Sequence, residues 1–130
     1  MSALTILIAD DHPLFRAAVL RASQDAQPQA QRVEAASAAT LERALQAHPD
    51  PDLVLLDLTM PGAHEFSELL HLSGEHPQVP VLMISSNEHP RVIRRAQQFG
   101  VAGFAPKSAP AEVVARAVAD VLDGGRWFPR

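Results

Sequence analysis

At 130 residues with a hydrophobic fraction of 47%, the chain is long enough for one domain with its own core and too apolar for a disordered segment. Its formal net charge of −4 argues against a surface that grips nucleic acid unaided, because such binding needs a basic footprint. The absence of cysteine excludes disulfides and thiolate metal sites. Residues 1–9 lack the basic lead of a signal peptide, and no apolar stretch reaches the roughly 18 to 20 residues that span a bilayer, so a soluble, cytoplasmic chain without a membrane partner is expected.

The first element is the apolar run Ile6-Leu7-Ile8-Ala9, which ends in Asp10-Asp11. Short apolar runs bounded by polar turns read as strands buried on both faces, as in parallel sheets covered by helices. Pro13 then opens a stretch in which Leu14, Phe15, Ala18 and Val19 recur at helical spacing. The segment from Gln31 to Ala36 is the weakest strand candidate, since only Val33 is strongly β-prone. Ser37 is a plausible cap for a second helix carrying Leu41, Ala44 and Leu45.

Leu53-Val54-Leu55-Leu56 is the next strand candidate and ends in Asp57, with the turn sequence Leu58-Thr59-Met60-Pro61-Gly62 behind it. Phe66, Leu69 and Leu70 suggest a third helix, soon followed by Ser73-Gly74. Val81-Leu82-Met83-Ile84 ends in Ser85; a fourth helix opened by Pro90 carries Val92, Ile93, Ala96 and Phe99 and stops at Gly100. The last strand candidate, Val101 to Ala105, is followed by Pro106-Lys107. A fifth helix, after Ser108 and before Gly124-Gly125, shows Val113, Val114, Ala117, Val118, Val121 and Leu122. This alternation predicts an α/β fold: a doubly wound, five-stranded parallel sheet with five helices.

In such sheets the ligand site lies at the carboxyl ends of the strands. One crevice should therefore gather Asp10, Asp11 and Asp57 with the Ser85 hydroxyl and the Lys107 ammonium. Magnesium takes hard oxygen ligands and keeps several waters, which suits two or three carboxylates; without a cation these would repel one another. An adjacent Asp pair has an ordinary alternative as a helix cap and a solvated neighbour. Asp57 has a weaker one, because it ends an apolar run and precedes a turn. A carboxylate so placed could hold metal only, or attack phosphorus and become an acyl phosphate. Lys107 could then supply charge, and Ser85 a hydrogen bond, to the phosphoryl oxygens. A lone Ser or Lys is usually a turn or surface residue; their joint place at successive strand ends favours the functional reading.

These residues carry a resemblance. Ile8-Ala9-Asp10-Asp11-His12-Pro13, Pro51 through Gly62, Val81 through Ser86 and Gly103-Phe104-Ala105-Pro106-Lys107-Ser108 are similar to the receiver domains of two-component response regulators, over essentially the whole chain. Within that group they resemble the receivers of NarL/FixJ (LuxR-type) transcription factors, as does Gly124-Gly125-Arg126-Trp127-Phe128-Pro129. The resemblance implies a flavodoxin-like, CheY-like fold with Asp57 as phosphoacceptor. It implies Mg²⁺ held by Asp11, Asp57 and the Thr59 carbonyl, with Asp10 acting through water. Lys107 would contact the phosphoryl group, Ser85 would be the switch hydroxyl, and Phe104 the aromatic that swings inward with it. A sensor histidine kinase is the implied partner, and a homodimer on phosphorylation a candidate state. Residues 1–124 would be the receiver and 125–130 the start of a linker to a C-terminal helix-turn-helix domain, absent from this chain, through which alone promoter DNA would be bound. No enzymatic activity is implied beyond self-phosphorylation and autodephosphorylation at Asp57.

Departures from the family pattern are local. Ser108 stands where many receivers have a proline after the lysine, so a cis bond there is not assumed. Ala63-His64-Glu65 replaces the usual acidic residue and glycine, and Phe104 has no hydroxyl. Two rival readings differ in class: a receiver-like interaction module independent of phosphorylation, and a small Mg²⁺-dependent aspartyl phosphohydrolase. The second is disfavoured because Thr59 stands where haloacid-dehalogenase-type sequences have a second Asp. His12, His48, His64, His71, His76 and His89 show no i, i+4 ligand pair, so a histidine metal site is not expected. Arg91, Arg94 and Arg95 read as a solvated helix face, with a partner surface as the rival view; Trp127 and Phe128 are expected to pack on the body.

Overall fold

Alternate residues of each apolar run go to opposite faces of one sheet, and both faces are buried. The computed structural model describes residues 4–58 and 66–128. The strands are β1 (Thr5–Ala9), β2 (Gln31–Ala35), β3 (Leu53–Asp57), β4 (Val81–Ser85) and β5 (Gly103–Pro106). The helices between and after them are α1 (Pro13–Ala26), α2 (Ala38–Ala47), α3 (Ser67–Glu75), α4 (Pro90–Gln98) and α5 (Ala111–Leu122). All pairings are parallel, in the order β2-β1-β3-β4-β5. The order reverses between β1 and β3, which places a crevice at their carboxyl ends.

Ile6, Ile8, Leu53, Leu55, Leu82 and Ile84 meet Val19 and Ala22 of α1 and Val114, Ala117, Val118 and Val121 of α5. Leu7, Val54, Leu56 and Met83 face the other way, onto Leu41 and Leu45 of α2, Leu69 and Leu72 of α3 and Ala96 of α4. This period of two inside strands, against helical spacing in their partners, fixes the register: a slip of one residue would exchange the two layers.

Local signals set the ends of most helices. Pro13 and Pro90 occupy first-turn positions, where a missing N–H costs nothing. Ser37 caps α2 in a reciprocal box: its Oγ accepts from Thr40 N at 3.2 Å, and its own N–H donates to Thr40 Oγ1 at 3.0 Å. Gly100, at φ +84°, provides the left-handed turn after α4. Ser108 does not cap the last helix; its hydroxyl donates to Glu88 Oε2 at 3.1 Å, and Pro110 precedes the first turn.

The strand at Gln31–Ala35 forms despite its weak propensity because β1 supplies a partner over all five residues. The last strand starts at Gly103, later than the apolar run suggests, since Val101 N still donates to Ala96 O of the preceding turn. Leu14 and Leu70, read as core-facing, are instead exposed at 90% and 60%. Beyond α5 the chain returns to the sheet. Trp127 N donates to Ala102 O at 3.0 Å, and Trp127 O accepts from Phe104 N at 2.9 Å, forming a parallel bridge at the edge of β5. Trp127 and Phe128 pack on the body, on opposite core layers.

Candidate functional site

β1 carries Asp10 one residue past its end, and Asp10 N extends the ladder by donating to Ala35 O at 2.9 Å. The Asp10 backbone carbonyl accepts from Arg16 Nη1 at 2.7 Å, and its carboxylate Oδ1 accepts from His12 N at 2.8 Å. Arg16 is itself held by Glu34 Oε1, 3.0 Å from its Nε. Asp10 is thus fixed by its own loop and by the first turn of α1. Asp57 closes β3 opposite Ile84, and both carboxylates are almost wholly buried. β4 delivers Ser85 next to Pro106, and Lys107 N donates to Ser85 O at 2.9 Å, continuing the β4–β5 ladder past its last pair.

The Lys107 side chain runs back across the crevice. Its Nζ donates to Asp57 Oδ2 at 3.1 Å, lies 3.4 Å from Asp10 Oδ1 and Oδ2, and sits 4.7 Å from the centre of the Phe15 ring. An ammonium among carboxylates and over an aromatic face is stabilised from both sides. Ser85 Oγ is buried and accepts from Asn87 N at 3.0 Å; its proton is donated to none of the described residues. Phe104 is fully buried in the layer of α2, α3 and α4. Burial suits a ring without a hydroxyl. Thr59 and the Ala63-His64-Glu65 departure lie outside the described residues. No cis peptide occurs among the described residues, in keeping with Ser108 after Lys107.

The residues that sequence reasoning assembled from four strand ends do converge, and one that it set aside joins them. Ligand atoms of Asp10, Asp11, His12 and Asp57 all lie within 4.8 Å of one another. His12 Nδ1 is 3.2 Å from Asp10 Oδ1, 3.2 Å from Asp11 Oδ1, 3.5 Å from Asp57 Oδ2 and 2.8 Å from Lys107 Nζ. The signal that could have found it was proximity to the Asp pair rather than spacing from another histidine. Asp11 Oδ1 is sealed from solvent and accepts no hydrogen bond among the described residues. A buried carboxylate oxygen left without a donor, beside two other carboxylates, fits a divalent cation better than any neutral ligand. The group can therefore hold a hard cation, and it presents a carboxylate with an ammonium already at hydrogen-bond distance.

On the fourth helix, Arg95 lies 5.6 Å from the Phe66 ring centre and 5.7 Å from that of Phe99, which are themselves stacked. Arg91 and Arg94 line a shallow basic hollow beside it. Among the described residues no helix is long and apolar enough to cross a membrane.

The chain is similar to known proteins over nearly its whole length. The pattern of the response regulator receiver domain matches residues 6–119. The glycerol metabolism activator of Pseudomonas putida is 38% identical over 124 residues, which cover 95% of this chain and 56% of that protein. The probable transcriptional regulatory protein NarL of Mycobacterium tuberculosis is 33% identical over 119 residues, 92% of this chain and 55% of its own length. The chain thus spans about half the length of these relatives. Among solved structures, the NarL receiver domain of M. tuberculosis superposes with a TM-score of 0.82 at 32% identity, covering 95% of this chain and 99% of that one. The chain belongs to the response regulator receiver domains of two-component systems, with NarL and other LuxR-type regulators among its relatives.

Proposed function

We propose that the chain is the phosphoacceptor module of a response regulator, and that a sensor histidine kinase transfers a phosphoryl group from histidine to Asp57. The observation that carries this reading is Lys107 Nζ 3.1 Å from the buried Asp57 Oδ2, at the topological switch point and beside Asp10 and Asp11. Asp57 would act as nucleophile, its carboxylate oxygen bonding to phosphorus as the P–N bond to the kinase histidine breaks. Lys107, freed from pairing with the bare carboxylate, would follow the charge onto a phosphoryl oxygen. Asp11 and Asp57 would hold Mg²⁺ directly, with the Thr59 carbonyl, and Asp10 would act through water. When bound, Mg²⁺ supplies positive charge to the phosphoryl oxygens and offsets the repulsion among the carboxylates.

Ser85 keeps a hydroxyl proton for a phosphoryl oxygen while Asn87 N holds its Oγ. Its backbone carbonyl is bonded to Lys107 N, and Met83 pairs with Phe104 in the neighbouring register, so a shift of Ser85 is felt along β5. Phosphorylation would then favour the conformation with Phe104 inward, a population shift at the face made by α4 and β5. The names of the relatives support transcription as the output, through a DNA-binding domain after residues 125–130. A cytoplasmic location and dimerisation on phosphorylation belong to the same reading, as does the absence of enzymatic activity beyond self-phosphorylation and autodephosphorylation.

Intact mass after incubation with acetyl phosphate, with and without Mg²⁺, tests it. A single Mg²⁺-dependent phosphoryl adduct that Asp57→Asn lacks is the expected result. Folded protein that takes no adduct would overturn the phosphoacceptor role and favour an interaction module independent of phosphorylation.

A further inference from the structure

The proposed cation site has a nitrogen at its rim. His12 is set by the loop that precedes α1: its N–H donates to Asp10 Oδ1, its carbonyl accepts from Arg16 N at 2.7 Å, and Pro13 follows it. With the backbone so pinned, only the two side-chain torsions remain free. The side chain is 57% exposed, yet its Nδ1 faces three carboxylates and the Lys107 ammonium.

Around Nδ1 the oxygens of Asp10, Asp11 and Asp57 stand at 3.2, 3.2 and 3.5 Å, and Lys107 Nζ at 2.8 Å. A ring nitrogen so placed among carboxylates can join them in holding a metal ion. Lys107 has other partners in Asp57 Oδ2, Asp10 and the Phe15 ring, so it can release Nδ1. Asp11 Oδ1, the orphaned buried acceptor, lies outside that compensation, with His12 Nδ1 3.2 Å away. Cis ligands about 2.1 Å from one octahedral ion stand roughly 3 Å apart, so these separations are those of atoms able to share an ion.

We propose that His12 Nδ1 is a ligand of this site for nitrogen-preferring divalent cations, so that the site accepts an ion such as Ni²⁺ through a mixed carboxylate and imidazole set. The inference rests on the reading of Asp11 and Asp57 as cation ligands. Imidazole suits later transition ions, whereas Mg²⁺ keeps its waters and gains little from nitrogen, so His12 separates the two classes of ion.

Calorimetric titrations of the 130-residue chain with Mg²⁺ and, separately, Ni²⁺ test this on wild type, His12→Ala and Asp11→Asn. The Asp11 variant identifies nickel taken up elsewhere, since five other histidines are present. His12→Ala should bind Ni²⁺ at least about tenfold more weakly, the scale of losing a metal-site partner, and Mg²⁺ within about twofold of wild type. Asp11→Asn should lose the tight phase for both ions. Nickel binding that depends on Asp11 but not on His12 would overturn the inference and leave the cation site standing. A wild-type chain that binds neither ion at this cluster would overturn both.

Discussion

Leu56 and Asp57 are neighbours on one strand, both nearly free of solvent, and they follow opposite rules. Leu56 belongs to an apolar layer in which strand alternation, helix periodicity and burial all agree. Asp57 belongs to a carboxyl edge where three carboxylates, an ammonium and an imidazole crowd together and one buried oxygen, that of Asp11, has no donor among the described residues. The layers therefore hold the fold, whereas the edge is tolerated by it. A region that breaks local rules inside a consistent frame is where function is expected.

Substitutions in the two regions should accordingly differ in sign as well as size. Leu56→Ala opens a cavity at a fully buried position and should destabilise by about 2–5 kcal/mol in urea unfolding. A value below about 1 kcal/mol would mean that the layer relaxes around the loss. Gly103→Ala tests the edge where the tail returns: a Cβ there would lie 2.7 Å from Leu82 Cδ1 and 2.8 Å from Trp127 O. It should cost about 1–3 kcal/mol and loosen the tail, so the fluorescence of Trp127, the sole tryptophan, should move to the red.

Asp11→Asn should act the other way. Removing one charge from the cluster, and giving its buried oxygen's neighbours an amide donor, should raise stability by about 1 kcal/mol in chelator-treated buffer. Added Mg²⁺ should then stabilise the wild type and leave this variant unmoved. Loss of stability in the variant without metal would contradict the contrast between edge and layer. Ser37→Ala removes one half of a reciprocal cap at the start of α2, outside the carboxylate cluster, and should cost about 1 kcal/mol with no effect on cation binding.

The smallest effect concerns pH. Burial holds the Glu68 carboxyl above its usual range; His71 pulls it down and Glu42 pushes it up, each less than burial does. A raised folded-state value favours the protonated form, so this contribution is fully present below the unfolded value of about 4 and is lost as pH rises through the folded one. Glu68→Gln should remove that increment, narrowing the difference in urea midpoint between acidic and neutral pH. An unchanged difference would show that Glu68 is solvated as in the unfolded chain.

Much of this contrast was legible in the sequence because it is carried by short-range pattern. Apolar runs of four ending in Asp10-Asp11, Asp57 and Ser85, separated by helical periodicity, imply a parallel sheet and so a crevice at its edge. What stayed hidden depends on placement rather than pattern. Gln31–Ala35 is a strand because β1 pairs with it, not because of its residues. Leu14 has core-like spacing but lies at the outer corner of α1, 90% exposed. His12 was dismissed for want of a second histidine, although its ligand partners are carboxylates brought to it by two strands. The tail bridge from Trp127 to β5 has no signature beyond a Gly-Gly turn.

The most direct test of the central claim is to locate the acyl phosphate chemically. After treatment with acetyl phosphate and Mg²⁺, borohydride reduction and peptide mapping should find homoserine at position 57 and nowhere else, since only an activated carboxyl is reduced. Modification at Asp10 or Asp11, or a phosphoryl group carried by His12, would contradict the assignment of Asp57 as the acceptor.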